Sequence, residues 1–115
     1  MAEELVPVFY VRNGIKAIRW YARLGFSIEG EYQFAPGVPQ YVCLRRGQVA
    51  LHLSEDMGDA PPNSLVRFYV ADIERIAVEF NVKVKDLPSS YEVELTDLDG
   101  NRLRVGMRKA LGPLK

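Results

Sequence analysis

An α+β fold built from two βαβββ modules is the architecture this sequence predicts, and three observations predict it. A strand-like run ending in Val11-Arg12-Asn13 and leading into an amphipathic helix is echoed by a run ending in Val70-Ala71-Asp72, again with a helix behind it. Later in each half a strand, a turn at a glycine and another strand recur, over residues 41–53 about Gly47 and over 91–105 about Gly100. A unit of roughly 55 residues occurring only twice is too long and too few for an open solenoid, so it reads as two like modules packed against each other. Together they are expected to form a curved mixed sheet with a cleft and with the helices on the outer face.

The chain of 115 residues supplies one domain of material, spanning 1–115, with the modules at about 5–55 and 64–109. A hydrophobic content of 48% with 26% charged residues is ordinary for a globular protein. Fifteen basic residues balance fifteen acidic ones, which argues against a nucleic-acid partner, because phosphate binding needs a basic excess. Cys43 is the single cysteine and has no intrachain disulfide partner; Met1-Ala2-Glu3-Glu4 lacks the basic and apolar regions of a signal peptide. The expectation is a cytoplasmic protein. No apolar run approaches the roughly 20 residues that cross a bilayer, so no membrane insertion is expected.

Leu5 to Val11 is apolar and β-branched enough for the first strand, and Asn13 is placed to cap a helix whose apolar positions are Ile15, Ile18, Trp20-Tyr21 and Ala22, ending at Gly25. Phe26 to Phe34 reads as a strand, Ala35-Pro36-Gly37-Val38-Pro39 as a loop, and the hairpin about Arg46-Gly47 closes the first module. Residues 56–63, rich in Asp, Gly, Pro and Asn, form the linker. Leu65 to Val70 opens the second module. Asp72 is placed to cap a helix with Ile73, Ile76, Ala77 and Phe80 buried, then come the short strand Val82-Lys83-Val84-Lys85 and the hairpin about Asp99-Gly100. Residues 110–115, with Gly112-Pro113, read as a loose tail.

Strand alternation divides the sheet residues into two faces. Phe9, Val11, Val42, Leu44, Val49, Leu51, Leu53, Val66, Phe68, Val70, Val93, Leu95, Leu103 and Val105 form the apolar set expected under the helices. The other face carries Val8, Tyr10, Tyr41, Cys43, Gln48, Ala50, His52, Arg67, Tyr69, Glu92, Glu94, Arg102 and Arg104. Aromatics mixed with both charge signs suit an amphipathic small molecule. Two other readings remain open: Arg and Glu paired across neighbouring strands on a solvated face, and a dimer interface that uses the tyrosines.

Those residues resemble the vicinal oxygen chelate superfamily, which includes glyoxalase I, extradiol dioxygenases and bleomycin-resistance proteins. The resemblance rests on Val11-Arg12-Asn13, on Ile18-Arg19-Trp20-Tyr21-Ala22-Arg23-Leu24-Gly25-Phe26, on Val70-Ala71-Asp72-Ile73, and on Asp97-Leu98-Asp99-Gly100-Asn101, which is similar to the DPDGN turn of that family. It implies four metal-ligand positions at Val6, His52, Leu65 and Arg104. Only His52 has a lone pair to give, so no metal or other cofactor is expected. A makeshift acidic site at Glu55, Asp56 and Asp59 is the weaker option.

The metal-free members that the chain resembles are homodimers of the bleomycin-resistance type, which hold the drug in clefts at the subunit interface without chemistry. The expected function is therefore sequestration of an amphipathic ligand or antibiotic by a homodimer. Val8, Tyr10, Tyr41, His52, Arg67, Tyr69, Glu92, Glu94 and Arg104 are the expected ligand-binding residues. No catalytic residue is assigned, although His52 is the candidate general base of an alternative lyase or isomerase, with an arginine stabilising negative charge. A dimer with a closed cleft is the third reading. Arg67, Arg102 and Arg104 suit a carboxylate or phosphate, tempered by Glu92 and Glu94. Cys43 is expected as a small buried filler, Tyr21 between helix and sheet, and Trp20 on the surface or at a subunit contact.

Overall fold

The computed structural model describes residues 3–33 and 35–110. The first module comprises β1 (Val8–Tyr10), α1 (Gly14–Arg23), β2 (Ser27–Tyr32), β3 (Tyr41–Arg46) and β4 (Val49–Ser54). The second comprises β5 (Leu65–Tyr69), α2 (Ile73–Phe80), β6 (Lys85–Asp86), β7 (Ser90–Thr96) and β8 (Arg102–Arg108). Both are βαβββ, as the repeat requires. Each forms its own four-stranded mixed sheet, in the orders β1-β4-β3-β2 and β5-β8-β7-β6. The chain divides into two compact units, Met1–Ser64 with Thr96–Asn101, and Leu65–Leu95 with Arg102–Lys115.

The two modules repeat down to individual hydrogen bonds. In the first, β1 runs parallel to β4 with Val8 opposite His52; in the second, β5 runs parallel to β8 with Arg67 opposite Arg104. Val11 N–H donates to the Ser54 carbonyl, and Val70 N–H to the Gly106 carbonyl. Ala17 N–H donates to the Asn13 carbonyl as Ile76 N–H does to that of Asp72. Phe9, Val42, Leu44, Leu51 and Leu53 are buried in the first unit, and Phe68, Val93, Leu95, Leu103 and Val105 in the second. Burial of these alternating side chains sets the register, since a slip by one residue would turn every one of them to the opposite face.

Several sequence expectations shift. The buried stripe of α1 is Gly14, Ala17, Trp20 and Tyr21, continued by Leu24, whereas Ile15 and Ala22 are exposed. The stripe is narrower than apolar content suggests because it follows the helical spacing from Gly14 rather than from Ile15. Trp20 is buried, with its ring edge-on to Tyr21 at 4.8 Å, which corrects its expected place on the surface. Leu5 is exposed, and β1 is shorter than its apolar run. Asn13 caps α1 by accepting from Lys16 N–H at 3.1 Å. Asp72 holds the matching position on α2 but turns its carboxylate to Arg75 at 2.9 Å and makes no side-chain cap bond. The strand expected at Val82–Lys85 is displaced to the two residues Lys85–Asp86. Phe34 and residues 111–115, on which parts of the second strand and the tail were expected, lie outside the described residues.

The hairpin turns differ between the modules. Gly47-Gln48 joins β3 to β4, with Gly47 at φ 57°. The turn between β7 and β8 is longer, Asp97-Leu98-Asp99-Gly100-Asn101, and belongs to the first unit. The buried Asp97 carboxylate accepts from Tyr21 O–H at 2.7 Å, Asp99 N–H at 2.8 Å, Asn101 N–H at 2.9 Å and the Asn101 amide at 3.0 Å. Asn101, fully buried, also donates to the Tyr10 carbonyl at 2.9 Å. Burial, then the charge of Asp97 and its hydrogen bond, raise the Tyr21 phenol far above its ordinary pKa. The turn that resembles a family motif is thus a clip that fastens the α1 side chain Tyr21 and the end of β1.

Candidate functional site

The first module builds a polar face from rows of side chains across its sheet. Val8, His52, Cys43 and Gly30 lie opposite one another on β1, β4, β3 and β2, and Tyr10, Ser54, Tyr41 and Tyr32 form the next row. Opposed residues share a face, so the alternation read from sequence holds along β1, β3 and β4, while a register shift between Ile28 and Gly30 interrupts it in β2. Tyr41 and His52, diagonal neighbours, make a hydrogen bond of 2.7 Å between the phenol oxygen and Nδ1, with the rings edge-to-face at 5.2 Å. Burial, then the charges of Cys43 and Asp59, raise the Tyr41 pKa. The phenol and Nδ1 share one hydrogen, which either group can donate, and the bond fixes the orientation of the His52 ring. Cys43 is buried, and burial followed by the charge of Glu29 raises its thiol pKa, the opposite of what activates a thiolate.

Tyr41 also lines a pocket of about 500 Å³. Tyr32, Val38 and Pro39 supply its apolar wall, and Gln40, Ser54, Asp56 and Asp59 supply the polar one. Its ionisable carboxylates are therefore aspartates, and among the described residues no arginine or lysine lines it. Ser54 donates to Asp59 at 2.6 Å, and Asp56 accepts from Gly58 N–H at 2.8 Å. Glu55, a residue the sequence marked only as part of a makeshift metal site, supports the pocket from behind. Its carboxylate accepts from Gly14 N–H at 2.7 Å and from Gln40 N–H at 2.9 Å, tying the end of the 35–40 loop to the start of α1. A glycine directly after the helix cap, in a first turn with no acidic residue, was the available signal.

The second module places different chemistry at the matching positions. Arg67 is ion-paired with Glu92, whose side chain is 9% exposed. Burial acts against the Arg67 charge, and the Glu92 carboxylate together with Tyr69 outweighs it, so the guanidinium pKa is raised. Glu94 accepts from Arg104 at 3.0 Å and lies 3.9 Å from Arg102; the Arg104 hydrogen bond leads the causes that hold its pKa below the ordinary value. Tyr69 stacks under the Arg108 guanidinium at 3.8 Å, close over Gly106, where a Cβ would meet the ring at 3.0 Å. The expected site residues thus fall into separate groups. Tyr41 and His52 are joined, with Val8 and Tyr10 on their face, while Arg67, Tyr69, Glu92, Glu94 and Arg104 line the other sheet. The arginines expected to receive an anion already have carboxylate partners.

Comparison with known proteins sets this arrangement in a family. The family model described as glyoxalase superfamily protein matches residues 1–110. The chain belongs to the glyoxalase superfamily. No curated protein matches it in sequence. Among solved structures, a bleomycin-binding protein complexed with bleomycin is similar at 20% identity and a TM-score of 0.65, over 94% of this chain and 100% of that one. A glyoxalase/bleomycin resistance protein/dioxygenase domain from Frankia sp. EAN1pec superposes with a TM-score of 0.77 at 14% identity, over 95% and 93%. A glyoxalase-related enzyme from Clostridium phytofermentans gives 0.75 at 18%, over 95% and 97%. At such identities the likeness is one of fold.

For a glyoxalase-superfamily metal, the positions implied by the resemblance are occupied by Val6, His52, Leu65 and Arg104. Two of these side chains carry no donor atom and the arginine is a permanent cation, so this donor set does not fit a metal ion. Glu55, Asp56 and Asp59 each hold local backbone or side-chain donors, and among the described residues no group of three or more His, Cys, Asp or Glu is placed to hold one. No helix of the described residues is long and apolar enough to cross a membrane.

Proposed function

We propose that this glyoxalase-superfamily protein is a cytoplasmic homodimer that sequesters an amphipathic small molecule, such as an antibiotic, without catalysis. The observation that carries the reading is the Tyr41–His52 pair beside the pocket of about 500 Å³. With Nδ1 engaged by the Tyr41 phenol, the His52 ring is held in one orientation, which suits it to anchor a ligand. Tyr32 and Tyr41 offer ring faces, and Asp56 and Asp59 favour a cationic group. The paired arginines of the second module argue against the carboxylate or phosphate ligand that their number in the sequence suggested. Exposed Ile28 and Tyr32 on the edge strand β2 support the homodimer.

The test is calorimetric titration with metal-free bleomycin and with smaller cationic amphiphiles, against anionic analogues of matched size. Saturable binding with preference for the cations, unchanged ligand recovered afterwards, and a dimer in sedimentation are expected. Turnover abolished by His52→Ala with affinity intact would replace sequestration with the lyase or isomerase reading. Stoichiometric, tight binding of Zn²⁺ or Ni²⁺ by chelator-treated protein would make it a metalloenzyme.

A further inference from the structure

The repeat exposes a second cavity that the first module closes. In the first module, the Glu55 carboxylate bridges Gly14 N–H and Gln40 N–H, and Gly14 allows the approach, since a Cβ there would meet Gln40 Oε1 at 2.7 Å. Counting on from the equivalent bonds Val11 to Ser54 and Val70 to Gly106, Gly14 corresponds to Ile73 and Glu55 to Met107. The buried pairs Val42/Leu44 and Val93/Leu95 make Gln40 the counterpart of Tyr91. Ile73, Met107 and Tyr91 cannot repeat the carboxylate bridge. A cavity of about 270 Å³ lies among them, completed by Val84, with Glu74 and Asp86 at its edge.

One edge of the cavity already holds an amine of the chain itself. The Lys109 ammonium pairs with Asp86 and stands 4.8 Å from the centre of the Tyr91 ring, so a carboxylate and an aromatic face hold an alkylammonium of the chain itself at one side. Glu74, at the other side, is exposed in the first turn of α2 and has no described ion-pair partner. We propose that this cavity is a separate binding site for a small primary alkyl- or arylammonium compound. Its apolar part lies against Ile73, Val84, Tyr91 and Met107, and its ammonium group pairs with Glu74. The site shares no lining residue with the pocket beside Tyr41 and needs no step of the proposed sequestration.

Methyl-labelled protein titrated with n-hexylammonium, n-hexanol and hexanoate under NMR observation tests this. Saturable shifts at the methyls of Ile73, Val84 and Met107 are expected with hexylammonium, weaker ones with hexanol and the weakest with hexanoate. Glu74→Gln should weaken hexylammonium by about 3-fold and leave hexanol unchanged, the scale of an exposed charge pair. Met107→Trp should fill the cavity and abolish the shifts; contacts from the hexyl chain to the Ile73 and Met107 methyls in the unaltered protein give the same answer if that variant does not fold. Equal binding of hexanoate, non-saturating shifts, or shifts confined to the Val38 methyls in the pocket beside Tyr41 would overturn the proposal.

Discussion

The two modules share a register and differ in the chemistry placed on it. Val8, Tyr10, His52 and Ser54 on β1 and β4 correspond to Arg67, Tyr69, Arg104 and Gly106 on β5 and β8. In the first module the row holds a hydrogen-bonded phenol–imidazole pair beside an open pocket; in the second the same row holds arginines matched to Glu92 and Glu94. A shared strand register therefore carries a pocket and a phenol–imidazole pair in one copy and a self-satisfied charge network in the other. Register comes from buried side chains of one face, which both modules keep, and this leaves the other face free to diverge.

The largest difference between the copies lies in their hairpin turns, and Asp97→Ala should show it. Removing a buried carboxylate that serves Tyr21, Asp99 and Asn101 strands several donors in the interior, so a loss of about 3 kcal/mol is expected in denaturant unfolding. Gly47→Ala in the other hairpin should lose about 1 kcal/mol, because only the positive φ resists and open space surrounds the site. Equal losses would mean that the longer turn is not a clip.

Repeat, module order, the cap of α1 and face alternation were legible in the chain because each depends on local pattern. Asn13 announced a cap and supplies one; Asp72, with the same credentials, was drawn to Arg75 by a charge that propensity does not weigh. Trp20 and Tyr21, adjacent on α1, both enter the core, because an edge-to-face arrangement lets neighbouring rings share the space. Alternation placed Arg67, Glu92, Glu94 and Arg104 on a common face without showing which partners they take. Glu55 was missed as a support because the donors it accepts from are backbone N–H groups brought near from residues 14 and 40.

Tyr41→Phe sharpens the contrast at the first module's face. It keeps the ring and removes only the hydroxyl from His52, so stability should change by less than about 1 kcal/mol while the affinity for a bound cationic amphiphile falls by about 5-fold, the value of one hydrogen bond. Unchanged affinity, measured by calorimetry, would detach His52 orientation from ligand binding. Glu92→Met in the second module is expected to be nearly silent, within about 1 kcal/mol by thermal unfolding, because replacing a buried carboxylate with an apolar side chain of similar size offsets the lost pair, and Arg67 reaches solvent. A large loss would show that the ion pair, rather than the apolar row beneath it, holds β5 against its sheet.

Acid titration of Glu94 supplies the finest distinction between a ligand-ready arginine and a committed one. Its carboxyl pKa is held below 4.5 first by the Arg104 hydrogen bond and then, against the opposing effect of burial, by the charges of Arg104, Arg102 and Lys85. A depressed folded-state pKa makes the stabilising contribution present above the ordinary carboxylate value and lost as pH falls through the lowered one. Following the Glu94 carboxyl carbon by NMR should therefore show a midpoint below 4.5 that moves up in Arg104→Met and also moves up, by less, in high salt. If Glu94 in the unaltered protein titrates at the ordinary value, Arg104 spends its time elsewhere. The second module's face would then be as available to an anion as its count of arginines implies, and the division of labour between the modules would fail at that point.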